Sequence, residues 1–143
     1  SNDDEMVSEL KSNDKKFVAV GGSGTILTSS DGTSWTSMIS GITQSLNGVS
    51  NSNSNIVAVG NSGTILNSSD GVSWTSITSG TTNDLNSVTY ANSKFVAVSN
   101  AYVGTSVPAT IPTSSVGTSW TLTTYNDGNY SSLLDVTYGN STF

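Results

Sequence analysis

The sequence predicts an all-β fold, a β-propeller segment of about three four-stranded sheets plus one extra strand. The first observation is a repeat. The run Val-Ala-Val follows Phe17, Ile56 and Phe95, which stand 39 residues apart. The second is that four short β-branched and aromatic runs fill each repeat, separated by Gly, Asn, Asp and Ser. Four strands in about 40 residues, repeated in tandem, are typical of the sheets of a propeller.

The repeat sets the organisation of the chain. Residues 17–55 and 56–94 align without gaps and are identical at 25 of 39 positions. We therefore divide the chain into repeat units with these boundaries: 17–45, 46–84, 85–132 and a partial unit 133–143. Residues 1–16 hold five of the ten acidic residues and three of the four lysines, and are predicted to be a charged, partly flexible lead-in with a weak first strand.

Each unit is expected to form four strands in order. The first and second are best seen in the third unit, as Leu85–Tyr90 and Phe95–Val98. The third and fourth are best seen in the second unit, as Thr64–Ser68 and Val72–Ile77. Leu133–Tyr138 repeats the first strand and is the predicted extra strand. No sustained period of 3.6 residues indicates a long helix.

A short polar motif links the third and fourth strands. Asp31-Gly32 and Asp70-Gly71 predict two-residue hairpin turns in which both residues have positive φ. Val116-Gly117 replaces this pair in the third unit. Because valine resists positive φ, a different turn is expected there. The tryptophan that follows each turn is expected to pack between neighbouring sheets, at Trp35, Trp74 and Trp120.

The segments Ser29–Trp35 and Ser68–Trp74 resemble the Asp-box of the BNR, sialidase-like propeller family, whose pattern is S-x-D-x-G-x-x-W. Here the Asp and Gly are adjacent, one residue closer than in that pattern. The resemblance covers about residues 17–143 and implies a propeller whose Asp-box turns are structural and lie away from the binding face. The turn residues it implies are Asp31, Gly32, Trp35, Asp70, Gly71, Trp74, Gly117 and Trp120.

The composition excludes several kinds of site. The chain carries a net charge of −6, with four lysines and no arginine, histidine or cysteine. It therefore has no disulfide, no His or Cys metal ligand and no Ser-His pair, and we expect neither a metal nor another cofactor. Such a charge does not favour nucleic acid, and no apolar run approaches the roughly 20 residues of a membrane span. The family resemblance implies that sialidase catalysis needs an arginine cluster, so we expect no enzyme here.

The candidate binding residues lie where the third unit departs from the other two. The connection within Ser99–Pro112 is seven residues longer than in the second unit, and Trp120–Leu133 is also lengthened. In an antiparallel sheet both insertions emerge at the same end. They carry aromatic faces and hydrogen-bonding groups suited to a protein or a carbohydrate. Alternatively, they only cover the sheet edge. The candidate ligand-binding residues are Tyr102, Tyr125, Asn126, Asp127 and Tyr130.

These observations predict a non-catalytic recognition or scaffold propeller, extracellular or on a bacterial cell surface. One alternative is a structural subunit of a surface filament or assembly. Another is part of a larger glycosidase-like propeller with catalytic residues outside this chain. Since propellers have about four to eight sheets, we expect a second copy or a continuation of the same chain to complete the ring. The extra strand Leu133–Tyr138 could then complete the first sheet of a partner.

Overall fold

The computed structural model describes residues 16–140, and the predicted lead-in with its weak first strand lies outside them apart from Lys16. The described residues form eleven strands and three short 3-10 turns. The strands of the first sheet are β1 Phe17–Val20, β2 Ile26–Ser29 and β3 Thr36–Met38. Those of the second are β4 Leu46–Asn51, β5 Ile56–Gly60, β6 Thr64–Ser68 and β7 Thr75–Ile77. Those of the third are β8 Leu85–Ala91, β9 Lys94–Ser99, β10 Ala109–Ser114 and β11 Thr121–Tyr125. The 3-10 turns are Gly22–Gly24, Asn61–Gly63 and Val103–Thr105.

Each sheet is an antiparallel meander in which strands pair in chain order. The three sheets contain three, four and four strands, which confirms the predicted all-β fold of propeller-like sheets. Neighbouring sheets stack through alternating side chains, because successive residues of a strand point to opposite faces. We call the side of a sheet that meets the following sheet its forward face, and the opposite side its backward face.

Two apolar clusters hold the stack together. Between the first and second sheets, Ile26 packs with Leu46, Ala58, Leu66 and Trp74. Between the second and third sheets, buried side chains of both sheets form one cluster with Trp120 at its edge. That cluster contains Val57, Val59, Ile65, Leu85, Val88, Phe95 and Ala97. The same repeat positions therefore build both interfaces.

The first strands of neighbouring sheets also approach closely. A Cβ on Gly48 of β4 would lie 3.2 Å from the Cα of Ser87 in β8. Next to this contact, the Asn47 amide donates to Leu85 O across the sheet boundary at 2.8 Å. Asn86 repeats the bond one unit later, donating to Leu133 O at 2.8 Å. These asparagines were not predicted to join neighbouring sheets, although both follow a repeated leucine.

The predicted strand Leu133–Tyr138 is not assigned as a strand. It nevertheless begins where the first strand of a further sheet would lie, since Leu133 N donates to Ser99 O at 2.9 Å. Leu46 N donates to Gly21 O in the corresponding way at 3.0 Å. A strand needs a ladder of hydrogen-bonded partners, and beyond the Leu133 bond residues 134–137 form no such ladder with the rest of residues 16–140.

Trp35 also departs from the prediction. Trp74 and Trp120 pack against the clusters between sheets, whereas Trp35 is 43% exposed. The physical reason is its place in the stack. Trp35 follows the turn of the first sheet, and no sheet within residues 16–140 covers the backward face of that sheet.

Pro112 ends the lengthened connection in the sequence analysis above, but it is a fully buried residue of β10 opposite Leu122. A proline lacks the N–H that a ladder needs. The N–H of Thr110, two residues earlier, points toward β9 and donates to Ser99 Oγ. Backbone N–H groups two residues apart on a strand point the same way, so the N–H that Pro112 lacks would also point toward β9. Since β9 and β10 pair only at Thr113 and Ser114, the absence of a backbone N–H at Pro112 removes no strand pair.

We predict that Gly117→Ala destabilises the protein more than Gly128→Ala. Both glycines have similar positive φ values, 82° and 78°, so the backbone strain is matched. A Cβ at Gly117 would lie 2.9 Å from the buried Val57 Cγ2, whereas a Cβ at Gly128 meets nothing within 4 Å. Overpacking costs about 1–3 kcal/mol.

Urea denaturation of both variants measures this difference in the free energy of unfolding. Equal losses would show that the interface between the second and third sheets tolerates the added methyl group, contrary to the packing described.

Candidate functional site

The two loops that lengthen the third unit meet at one end of the third sheet. Ala109 at the start of β10 pairs with Tyr125 at the end of β11, so both loops leave the sheet together. The loops are joined because Ala101 N donates to Ser132 Oγ at 3.0 Å and that hydroxyl donates to Ala101 O at 3.4 Å. We call residues 100–108 and 126–132, with Tyr125 at their border, the third-sheet rim.

The first loop of the rim is itself a small hairpin. Tyr102 and Val107 exchange two backbone hydrogen bonds, 2.9 and 3.2 Å long. The 3-10 turn Val103–Thr105 and Ser106, with φ of 54°, close its tip. The neighbouring Asp84 carboxylate raises the pKa of the exposed Tyr102 hydroxyl. This loop therefore presents Tyr102 on a closed turn.

Asn83 fixes both ends of that loop. Its buried amide donates to Pro108 O at 2.8 Å and to Asn100 O at 3.0 Å. The adjacent Asp84 accepts the N–H of Ser62 from the second sheet at 2.8 Å. These residues were not predicted as part of the site. The sequence contained one signal that could have pointed to them. Asn83 and Asp84 replace Gln44 and Ser45 at the same two positions of the repeat.

The second loop is shaped by its own polar side chains. Asn126 Oδ1 accepts the N–H of Gly128 at 2.9 Å. Asp127 Oδ1 accepts the N–H of Asn129 at 2.9 Å and that of Ser131 at 3.3 Å. Hydrogen bonds from Ser131 and Asn129 lower the pKa of Asp127. Asn126 and Asp127 are exposed, but one oxygen of each serves the loop.

The five candidate residues share the rim without forming one compact cluster. Tyr102 lies beside Asp84, on the side toward the second sheet. Tyr125 is exposed and, by strand alternation, faces the same side as Thr123, away from the second sheet. Tyr130 is half-buried and has a φ of 54°. No ring contact joins these tyrosines within residues 16–140.

The chemistry available at the rim is aromatic contact and hydrogen bonding. Neither loop contains a lysine, and the nearby charges are the carboxylates of Asp84 and Asp127. Across residues 16–140 no group of three or more acidic side chains could hold a metal ion. No helix in that range has the length and apolar character to span a bilayer. The rim thus combines flat apolar surfaces with a negative potential.

The turns at the opposite end of the sheets differ from the predicted two-residue hairpins. Thr28 pairs with Thr36, so the first turn spans Ser29–Trp35. Gly32 has a φ of 79°, whereas Asp31 is not among the residues with positive φ. Ser29 Oγ accepts the N–H of Gly32 at 2.8 Å, and Asp31 Oδ1 accepts two further N–H groups, of Thr33 and Ser34. Asp70 and Gly71, which has a φ of 76°, repeat this arrangement.

The Val116 turn was expected to differ, and this expectation is wrong for its backbone. Ser114 Oγ accepts the N–H groups of Val116 and Gly117 at 3.3 and 2.8 Å, as in the other two turns. Trp120 Nε1 donates to Gly117 O at 3.1 Å, as Trp74 Nε1 does to Gly71 O at 3.2 Å. In this turn only Gly117 has a positive φ, so a valine at the preceding position causes no backbone strain. What this turn lacks is the carboxylate acceptor.

Comparisons with known proteins bear on the fold. No protein-family profile and no curated protein sequence matches this chain. A solved structure titled "YCF48 bound to D1 peptide" is similar to it, with a TM-score of 0.60 and 18% sequence identity. The similarity covers 78% of this chain, which spans 36% of the length of that one. At this identity the likeness shows the β-propeller fold alone, and the resemblance to the BNR family remains a prediction from the turn motif.

We predict that Asn83→Ala loosens the rim. The substitution removes the amide donor of Pro108 O and leaves Asn100 O with the Ser99 hydroxyl as its donor. A buried group left unsatisfied costs about 1–3 kcal/mol. Amide hydrogen exchange should accelerate in residues 100–108, and the free energy of unfolding should fall. Asn53→Ala is the matched control, because Asn53 is exposed and such surface changes usually stay within about 0.5 kcal/mol. Unchanged exchange in the Asn83 variant would refute its role.

We also predict that the protein loses stability in acid partly through the turns. Hydrogen bonds from the backbone N–H groups of Ser34 and Thr33 hold the pKa of Asp31 far below its usual value, and those of Ser73 and Val72 lower the pKa of Asp70. The folded state therefore favours the ionised carboxylates. This stabilisation is present above the unfolded pKa of about 3.9 and is lost as the pH falls through the lower folded values.

The double variant Asp31→Asn/Asp70→Asn tests this, since a neutral amide oxygen still accepts hydrogen bonds. The free energy of unfolding, measured from neutral pH downward, should fall less steeply below about pH 4 than in the wild type. An identical slope would exclude these two carboxylates as a source of the acid sensitivity.

Proposed function

We propose that the chain is a non-catalytic recognition propeller that binds a peptide segment of another protein at the third-sheet rim. The observation that carries the proposal is the joining of the two lengthened loops through Ala101 and Ser132. The second sheet also joins its two corresponding loops, because Gly63 N donates to Asn83 O at 2.9 Å. The rim differs in the greater length of its loops and in their tyrosines. In the first two sheets the corresponding connections include the short turns Gly22–Gly24 and Asn61–Gly63, which contain no aromatic residue.

The rim is held in shape before any partner arrives. The Asn83 amide ties both ends of the first loop, and the Asn126 and Asp127 side chains close the second. Ordering a loop on binding costs free energy, so a surface that is already ordered binds more tightly for the same contacts. This order within the rim favours a role in binding over the alternative that the two loops only cover a sheet edge.

The spacing of the exposed aromatic residues favours an extended partner. Tyr102 lies on the loop that follows β9, and Tyr125 ends β11, two strands away. Strands are about 4.8 Å apart, so the two positions are separated by about 10 Å or more. An extended peptide, advancing about 3.3 Å per residue, reaches both with a few residues.

The charges at the rim indicate which kind of peptide would bind there. Asp84 and Asp127 lie at or beside the rim and neither loop carries a lysine, so a neutral or basic peptide fits better than an acidic one or a phosphate group. The similar propeller whose title records a bound D1 peptide supports a peptide partner. Location outside the cell and lack of catalysis remain predictions from the composition of the chain.

The test is selection of a displayed random-peptide library on the 143-residue chain. Selected peptides should bind the wild type, and Tyr102→Ala and Tyr125→Ala should each raise the Kd at least about tenfold, since aromatic anchors dominate such interfaces. Peptides with lysine or arginine should be enriched.

The matched control is Val72→Ala/Val116→Ala, which removes two exposed apolar side chains from the opposite end of the sheets and should leave the affinity unchanged. Peptides that bind both tyrosine variants as tightly as the wild type would overturn the proposed site. Binding on a glycan array that depends on Tyr102 and Tyr125, with no peptide selected, would replace the peptide by a carbohydrate.

A further inference from the structure

The last strand of the third sheet is longer than its counterparts in the other two sheets. The strand β11 covers the five residues Thr121–Tyr125, whereas β3 and β7 cover three residues each. In the first two units a Ser-Gly pair, at 40–41 and 79–80, follows soon after this strand, and its glycine has a φ of 76° or 81°. The third unit has Tyr-Asn at the same repeat positions, 125–126. The strand therefore runs two residues further, up to the third-sheet rim.

This longer strand has a neighbour on one side only. All five residues pair with β10, and no strand within residues 16–140 pairs along the other side, which we call the outer edge. Edge strands are commonly protected against further pairing by short length, proline, charge or a bulge. The strands β3 and β7 are short, but β11 is longer and contains no proline, no charged residue and no shift of register. Its outer edge can therefore accept another strand.

The partners in β10 show which backbone groups face the outer edge. Thr110, opposite Thr124, directs its N–H toward β9, and Pro112, opposite Leu122, has no N–H. Neither pair is therefore hydrogen-bonded, and the backbone groups of both residues in such a pair point away from each other. The N–H and C=O groups of Leu122 and Thr124 thus point outward. No backbone bond from another described residue occupies them.

We propose that the peptide bound at the third-sheet rim continues past Tyr125 as an antiparallel fifth strand on the outer edge of β11. This inference rests on the proposed function, because Tyr125 belongs both to the rim and to β11. The outward groups of Leu122 and Thr124 supply two donors and two acceptors for main-chain hydrogen bonds, which give affinity for any extended sequence. Antiparallel pairing continues the pattern of the sheet itself.

The side chains of β11 set which residues of the added strand are favoured. Thr123 and Tyr125 are exposed on the forward face. Leu122 lies on the backward face, where its Cδ1 would be 3.1 Å from a Cβ on Gly80 of the second unit. Every second side chain of the peptide therefore passes Thr123 and Tyr125. Since β-branched and aromatic residues pair well across strands, we expect them at alternate positions of the peptide.

The first test measures the Kd of the selected peptides for the variant Thr124→Pro. The proline ring replaces an outward N–H and blocks the edge, but it removes no bond to β10, because this N–H does not face that strand. The Kd should rise at least about tenfold, a loss of about 1.4 kcal/mol.

The matched control is Ser76→Pro, which makes the same change on the edge of β7. Ser76 pairs with Leu66 as Leu122 pairs with Pro112, so its N–H also points outward. This variant should bind the peptides as tightly as the wild type does. Circular dichroism checks that both proline variants keep their β structure.

The second test leaves the protein unchanged and replaces one peptide N–H at a time by N-methyl. An antiparallel strand directs every second N–H toward its neighbour. In the part of the peptide next to β11, methylation should therefore raise the Kd at least about tenfold at alternate positions and have little effect between them. This measurement does not depend on the folding of a variant.

The outcomes separate the added strand from the rim. Peptides that need Tyr125 but bind Thr124→Pro as tightly as the wild type, or that show no alternation on methylation, would overturn the fifth strand and leave the rim as the binding site. If no selected peptide depends on Tyr102 or Tyr125, the rim proposal is wrong and the strand fails with it. A wild-type dimer that Thr124→Pro abolishes, with no peptide bound at this edge, would assign the edge to a second copy instead.

Discussion

The stacking of one twisted sheet on the next is the constraint on which the rest of this molecule depends. Every strand has side chains on two faces, and in the second sheet both faces are apolar. Val57 and Val59 face the third sheet, and Ala58 and Leu66 face the first. A single such sheet cannot bury both surfaces. The 39-residue repeat follows from this need, because each unit must present the surface that its neighbour is shaped to cover.

The turns show which part of the local motif the stack requires. All three have a serine hydroxyl that accepts backbone N–H groups and a glycine with positive φ. The third has no carboxylate and keeps this geometry. Glycine is required because the position has positive φ in all three turns, and at Gly117 a side chain would also clash with the preceding sheet. The Asp31 and Asp70 carboxylates add acceptors for exposed N–H groups, so they tune the stability of the turn but do not determine its shape.

The sequence predicts the sheets well because strand alternation and repeat spacing are local properties. It assigns the four strands of the second and third sheets and places the two lengthened loops at one end. It fails where the outcome depends on a partner distant in the chain. The Leu133–Tyr138 segment has a strand-like sequence but forms no strand within residues 16–140. Trp35 occupies the packing position of the repeat, but no sheet within that range covers it. Asn83 is one polar residue among many until its buried bonds are seen.

The rim of the third sheet arises from a local loss of strand pairing. Where β5 and β6 pair at five positions, β9 and β10 pair at two, Val96 with Thr113 and Phe95 with Ser114. The strands separate toward the rim, and the longer first loop begins in that gap. The backbone groups released there would be costly if left buried and unpaired. The Ser99 hydroxyl takes the N–H of Thr110, and the Asn83 amide binds the carbonyls of Asn100 and Pro108. Because polar side chains replace the lost ladder, the loop can vary at its tip while the apolar stack beneath it stays unchanged.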